Sequence, residues 1–321
     1  MKNKAILIVA GDPNSVFFEI FFKSLKLNKF KSPIILIASK KLLELQLKRF
    51  NYNIKIKLLD FQKVNFNNLD NKSINLVNVN LKKDKKIRKN LDYEIDYIKQ
   101  SFKIAFKILK KGICYKLING PINKTGFLNK KFLGITEYIS KAFGRKKNAM
   151  LIYNKELSVC PLTTHLPLKL VSKKISQNLI KEKTILINNF FKKELGFKPK
   201  IAVTGLNPHC ESILKLNEDN TIIAPAVNSL KKKGYNISGP FSADTIFMKQ
   251  NRKKYNIILG MYHDQVLTPI KTLKEYDAIN ITLGLPFYRV SPDHGPNIKM
   301  KNKNISNPLS LIKAIQFLDN K

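Results

Sequence analysis

The chain has 321 residues, and 59 Lys+Arg against 22 Asp+Glu give a formal charge of +37. Such a balance suits a nucleic-acid partner, yet arginine is confined to Arg49, Arg88, Arg145, Arg252 and Arg289, while lysine runs through nearly every segment. Without a basic patch interleaved with stacking aromatics, the composition argues against specific nucleic-acid binding and leaves a positive field suited to small phosphorylated substrates.

Ala5–Ala10, behind Lys2 and Lys4, mimics a short signal peptide but is too short for one and meets Gly11-Asp12-Pro13 at once. It reads as a buried first strand. Pro33–Ala38 and Ile54–Leu58 read as further strands, and the lysine-rich stretch Lys82–Lys89 as a solvated loop or helix end. From Asp92 to Lys111 the apolar residues Ile95, Ile98, Phe102, Ala105, Phe106 and Leu109 recur at helical spacing. Leu117–Asn119 and Ala149–Tyr153 are strands, and Ser176–Leu195 is a helix. Lys200–Gly205, Asn256–Met261 and Ala278–Leu283 are strands, Lys231–Lys233 is another solvated stretch, and a helix closes the chain from Pro308 to about Asn320. The alternation predicts a layered α/β architecture with parallel or mixed sheets. No apolar run approaches the roughly 20 residues of a membrane span. Cys114, Cys160 and Cys210 form no paired spacing, which fits a reducing cytoplasm.

Only four histidines occur, all in loop-like contexts rich in Pro, Gly or polar residues: His165 in Thr163-Thr164-His165-Leu166-Pro167, His209 in Gly205-Leu206-Asn207-Pro208-His209, His263 in Tyr262-His263-Asp264-Gln265, and His294 in Pro292-Asp293-His294-Gly295. Imidazole binds metals and moves protons near neutral pH. His165, His209 and His263 lie too far apart for a one-helix metal motif, so they make a site only if strand-end loops converge, as they do in α/β proteins. Individually hydrogen-bonded histidines are the alternative. Gly120-Pro121-Ile122-Asn123-Lys124-Thr125-Gly126 lacks the glycine before lysine that a P-loop needs, and no G-x-G-x-x-G occurs. Arg289, close to Asp293-His294-Gly295, is either a surface ion-pair partner or a bidentate clamp on phosphate or carboxylate.

Several phrases recur together in one family: Gly11-Asp12-Pro13, Gly120-Pro121-Ile122-Asn123-Lys124, Gly134-Ile135-Thr136-Glu137, Thr164-His165-Leu166-Pro167-Leu168, Gly205-Leu206-Asn207-Pro208-His209, Gly239-Pro240 with Asp244-Thr245, Tyr262-His263-Asp264-Gln265, and Asn280-Ile281-Thr282-Leu283-Gly284-Leu285-Pro286. From the first strand to about Gly295 the chain resembles the 4-hydroxythreonine-4-phosphate dehydrogenase family of pyridoxal phosphate biosynthesis. The resemblance implies an α/β fold of the isocitrate/isopropylmalate dehydrogenase kind. Two α/β/α lobes, 1–125 with 285–321 and 126–284, would flank a cleft, and the second lobe would form a homodimer whose active sites are shared. It implies His165, His209 and His263 as ligands of one divalent ion (zinc, magnesium or cobalt), at least one of them given across the dimer interface. Thr136, Lys271, Asn280 and Arg289 match substrate contacts. His294 and Gly295 match the turn against the adenine side of NAD or NADP. Asp244 and Asp264 are candidates for orienting ligands or relaying protons, and Lys271 joins them as a candidate catalytic cation.

Three departures stand out. Ile135 replaces the family's histidine, Ser15-Val16-Phe17-Phe18 replaces a glycine-rich continuation of the first loop, and Pro296-Asn297-Ile298-Lys299 follows Gly295. The expected activity is metal-assisted, NAD-dependent oxidation and decarboxylation of 4-phosphooxy-L-threonine to 3-amino-2-oxopropyl phosphate. The alternatives are a sister dehydrogenase for another phosphorylated hydroxy acid, a three-histidine metal hydrolase, and a basic binding protein without chemistry.

Overall fold

Buried strands of an α/β sheet are apolar on both faces, and the first run of the chain has that character along its whole length. The computed structural model describes residues 5–62, 69–81, 90–123, 127–128, 132, 134–211, 216–293 and 295–321. The chain forms two units, Met1–Phe132 with Pro286–Lys321, and Leu133–Leu285. In the first unit, β1 (Ile6–Val9), β2 (Ile34–Ala38), β3 (Ile56–Leu58), β4 (Ile74–Asn78) and β5 (Lys116–Asn119) pair in parallel. The second unit contains β6 (Ala149–Tyr153), β7 (Ser158–Thr163), β8 (Ile201–Thr204), β9 (Ile237–Phe241), β10 (Ile257–Tyr262) and β11 (Ile279–Leu283). The last strand, β12 (Tyr288–Pro292), returns to the first unit beside β5, giving the order β3-β4-β2-β1-β5-β12 there.

Every residue of β1 and β2 is buried, and Leu7 lies between Ile35 and Leu117 in register. Helix Phe17–Leu27 packs Phe17, Phe18, Phe21 and Phe22 inward. These phenylalanines take the core-facing stripe of a helix, so the departure at 15–18 is not a longer loop: the helix begins there. Helices Lys40–Arg49, Asn90–Lys110 and Leu309–Asp319 complete this unit's described helices of eight or more residues, the first capped by the Ser39 hydroxyl.

In the second unit the order is β11-β6-β7-β10-β8-β9. β7, β10, β8 and β9 run parallel, whereas β6 is antiparallel to both β7 and β11, so this sheet is mixed. Its core gathers Ile152, Val159, Ala202, Ile258 and Val266. Helix Gln177–Phe190 continues as a π-helical turn over Phe191–Leu195, and helices Ile135–Ala142, Ala224–Lys232 and His263–Lys274 lie in the same unit.

Strands β4, β7, β9 and β12 are additions to the sequence reading. Each carries residues that weaken a strand pattern: Asn75, Pro161, Gly239-Pro240, or Arg289 with Pro292. Tertiary partners offset the defect, as when Asn75 Nδ2 donates to the carbonyls of Ile34 and Asp70. Lys231 and Lys232 are the exposed last turn of a helix, while Lys82–Lys89 lies outside the described residues. Among the described residues no helix is long and apolar enough to cross a membrane.

Candidate active site

Three adjacent parallel strands of the second unit, β7, β10 and β8, end on the same edge, and a histidine follows each. Ligands of open α/β sheets gather at that edge. His165 stands two residues beyond β7 with φ +51°, and its ring centroid lies 5.6 Å from that of His263. His263 is the first residue of helix His263–Lys274, which corrects the loop assignment from sequence: the extended Tyr262 turns directly into the helix. Asp264 Oδ1 is 2.7 Å from His263 Nδ1. A carboxylate only accepts, so Nδ1 carries the proton and Nε2 is left as the ring's donor atom toward a ligand.

The third histidine is presented differently. His209 has φ +56° and Cys210 φ +61°, and left-handed backbone costs about 1 kcal/mol or more at each non-glycine residue. The loop is held by Asp219, wholly buried, whose carboxylate accepts from Leu206 N at 2.7 Å, Asn207 N at 3.2 Å and Asn207 Nδ2 at 2.7 Å. The His209 side chain itself is 72% exposed, and its Nδ1 is 3.8 Å from Asp244 Oδ2, an ion-pair distance beyond hydrogen bonding. Ser242 Oγ donates to Asp244, and that bond, with the nearby His209, holds the Asp244 carboxyl below the usual range. Beside this loop, burial pushes the Cys210 thiol up, with Asp219 adding to the effect. Among the described residues no three His, Cys, Asp or Glu side chains of one chain gather tightly enough to hold an ion.

Around His165 the packing is close. A Cβ on Gly134 would stand 2.8 Å from Glu137 Oε2 and 2.9 Å from His165 Nδ1, so only glycine leaves room there. Glu137 Oε1 accepts from Thr164 Oγ1 at 3.3 Å, while Oε2 is buried with no hydrogen-bond partner among the described residues. A cavity of about 60 Å³ adjoins Thr136, Glu137, Thr164, His165 and Lys183. That is room for a few water molecules at most, far below the ~300 Å³ of a small-molecule pocket.

The remaining predicted residues divide by exposure. Thr136 is buried with its hydroxyl 3.5 Å from Thr282 Oγ1. Asn280 turns a buried Oδ1 without a hydrogen-bond partner among the described residues, an acceptor that a ligand can satisfy. Asp264 and Lys271 are exposed. In the first unit Arg289 is only 3% exposed and donates from Nε to Asn119 Oδ1 at 2.8 Å, which overturns the surface ion-pair alternative. The partner, Asn119, lies 170 positions away and had no local signal. His294 lies outside the described residues. Gly295 has open space where a Cβ would stand, and Pro296 O accepts from Val16 N at 3.2 Å. Asp219 and Glu137 were missed as functional supports; their signal was the scarcity of acids in so basic a chain.

The family model for the pyridoxal phosphate biosynthetic protein PdxA matches residues 29–318. The chain belongs to the PdxA family. A relative from Sulfurihydrogenibium sp. named 4-hydroxythreonine-4-phosphate dehydrogenase is 37% identical over 327 residues, covering 97% of this chain and 96% of its own length. Another so named, from Aquifex aeolicus, is 33% identical over 325 residues, with 99% and 98% covered. The crystal structure of the Klebsiella pneumoniae 4-hydroxythreonine-4-phosphate dehydrogenase superposes with a TM-score of 0.81 at 27% identity, covering 99% of this chain and all of that one. PdxA membership makes the chain an oxidoreductase of pyridoxal phosphate biosynthesis with an α/β dehydrogenase fold.

Proposed function

We propose that this PdxA-family chain oxidises 4-phosphooxy-L-threonine with NAD or NADP, in a cytoplasmic homodimer holding one divalent ion per active site. Loss of carbon dioxide from the 3-oxo acid then yields 3-amino-2-oxopropyl phosphate. The observation that carries the reading is the meeting of His165 and His263 on the edge where β7, β8 and β10 end. These two and His209 would hold the ion, whose contribution when bound is Lewis-acid polarisation of the substrate's secondary alcohol. The nitrogen donors suit zinc or cobalt, and the exposure of His209 suits a set completed by a second copy of the chain. The nicotinamide cofactor that His294 and Gly295 would hold would supply a hydride acceptor for the carbon bearing that alcohol.

The chain's own groups divide the remaining work. Asp264 fixes the His263 tautomer, and Asp244, kept ionised at neutral pH, takes the alcohol proton or passes it to water. Arg289, its guanidinium aligned by Asn119, and Lys271, a point charge, bind phosphate and carboxylate. Thr136 and Asn280 supply neutral hydrogen bonds. His294 and Gly295 would take the adenine side of the cofactor. The segment after them is tied to the loop following β1 at the carboxyl ends of the first unit's parallel strands, a ligand edge in such sheets.

Ile135 favours a second reading, a sister dehydrogenase for another phosphorylated hydroxy acid. It is buried at the first turn of helix Ile135–Ala142, where the family's histidine would offer a hydrogen bond. Formation of reduced cofactor with 4-phosphooxy-L-threonine tests both. Oxidation is expected, and Ile135→His is expected to lower KM by up to about tenfold, part of the ~1.5–3 kcal/mol of a charge-assisted bond. No oxidation of this substrate, with efficient oxidation of a different phosphorylated hydroxy acid, would transfer the assignment to the sister enzyme.

A further inference from the structure

The β8–β10 ladder keeps its register only through the pair Leu259–Val203, so backbone groups beyond it need other partners as the strands part. One side chain supplies them. Gln265 Oε1 accepts from Met261 N at 2.7 Å and from Thr204 Oγ1 at 2.8 Å, and its Nε2 donates to Gly205 O at 2.8 Å. A carboxamide has the same acceptor and donor as a peptide, so Gln265 acts as an extra rung between two separating strand ends. The other face of the same peptide segment is also tied, since Thr163 Oγ1 donates to Met261 O at 2.8 Å.

These contacts fall beside all three histidines. Thr163 is two residues before His165, Met261 two before His263, and Gly205 opens the loop that ends in His209. We propose that Gln265 is a positioning residue, bracing the strand ends that carry His209 and His263 so that each imidazole, whichever copy's ion it serves, is placed before an ion arrives. The role rests on the three-histidine reading above. Preorganisation by groups behind the ligands is commonly worth about 10–100-fold in metal affinity, and Gln265 does it across two strands rather than on one ring. Glutamate at this position would keep both accepted bonds but set a carboxylate oxygen against Gly205 O, and methionine would leave the buried Met261 N and Gly205 O unpaired.

The test is cobalt(II) titration of the full chain, followed by its visible absorption, alongside thermal melting. Gln265→Glu and Gln265→Met are expected to weaken cobalt binding about 10–100-fold and to change the absorption band. Ile258→Val, a core change that lowers the melting point, is expected to leave both readings as in the parent. Should the Gln265 variants not fold, Thr204→Val, which removes one of the three bonds, is expected to weaken binding by about three- to tenfold. Unchanged affinity and spectrum in the folded variants, with binding lost in His263→Ala, would overturn the role of Gln265 alone. A parent chain that takes up no cobalt would instead remove the three-histidine reading, and the positioning role with it.

Discussion

The loops after β1 and after β8 begin alike, each leaving a buried parallel strand through a glycine, and they end in opposite ways. After β1 the chain closes against the backbone of the loop that follows β5. Asp12 N donates to Pro121 O at 2.9 Å, Ser15 Oγ to Asp12 O at 2.7 Å, and Asp12, Ser15, Val16 and Phe17 are all buried. Gly11 has φ +83°, and a Cβ there would collide with Pro121 O. After β8 the polar groups of the loop are used up from behind, by Asp219 and Gln265, so the His209 side chain is left facing outward on left-handed backbone. A strand end satisfied by backbone groups contributes stability, whereas one braced by distant side chains presents a group for chemistry at a local cost.

Four substitutions separate these two kinds of strand end. The largest effect is expected for His209→Ala, with turnover lowered more than about a thousandfold, roughly 4 kcal/mol, while circular dichroism and melting stay near the parent values. Gly11→Ala is expected to do the reverse. Positive φ and the collision together cost about 2–4 kcal/mol in urea unfolding, with turnover per folded molecule largely kept. If Gly11→Ala were neutral, the closed-loop picture would be wrong.

Asp219→Asn should fall between them. An amide nitrogen in place of Oδ2 can accept from neither Asn207 donor, so about 1–2 kcal/mol of stability and about tenfold in turnover are expected to go together, because the brace serves both. A stability loss with unaltered kinetics would detach Asp219 from the site. The smallest effect concerns Glu94, which accepts from Asn14 Nδ2 at 2.5 Å beside the closed loop, and whose carboxyl burial holds above the usual range. A raised pKa gives stability that is full below the unfolded value, about 4.3, and is lost as pH rises through the folded one. Glu94→Gln does not titrate, so its melting point should gain on the parent from pH 4 to pH 7, by about 1–2 °C at this partly exposed group. A gap that is constant with pH would contradict the assignment.

The second unit's candidate histidines were legible because they sit in short phrases at the ends of apolar strands, such as Ile201–Thr204 before Gly205-Leu206-Asn207-Pro208-His209. The helix at Phe17–Leu27 was not, since Ser15-Val16-Phe17-Phe18 was compared with a glycine-rich loop rather than read for its own i, i+4 aromatic stripe. β12 was hidden by Arg289 and Pro292, residues that a strand keeps only when its neighbours accommodate them.

By itself the sequence determined the α/β class, the buried strands β1, β2 and β5, the four histidines and the family phrases, because periodicity and short motifs depend on neighbours along the chain. Only the tertiary structure decided that His165 meets His263, that Asn119 takes Arg289 across 170 positions, and that Gln265 takes Thr204 across 61. Those choices follow from strand order and from the need of each buried polar group for a partner, and neither is encoded in local spacing.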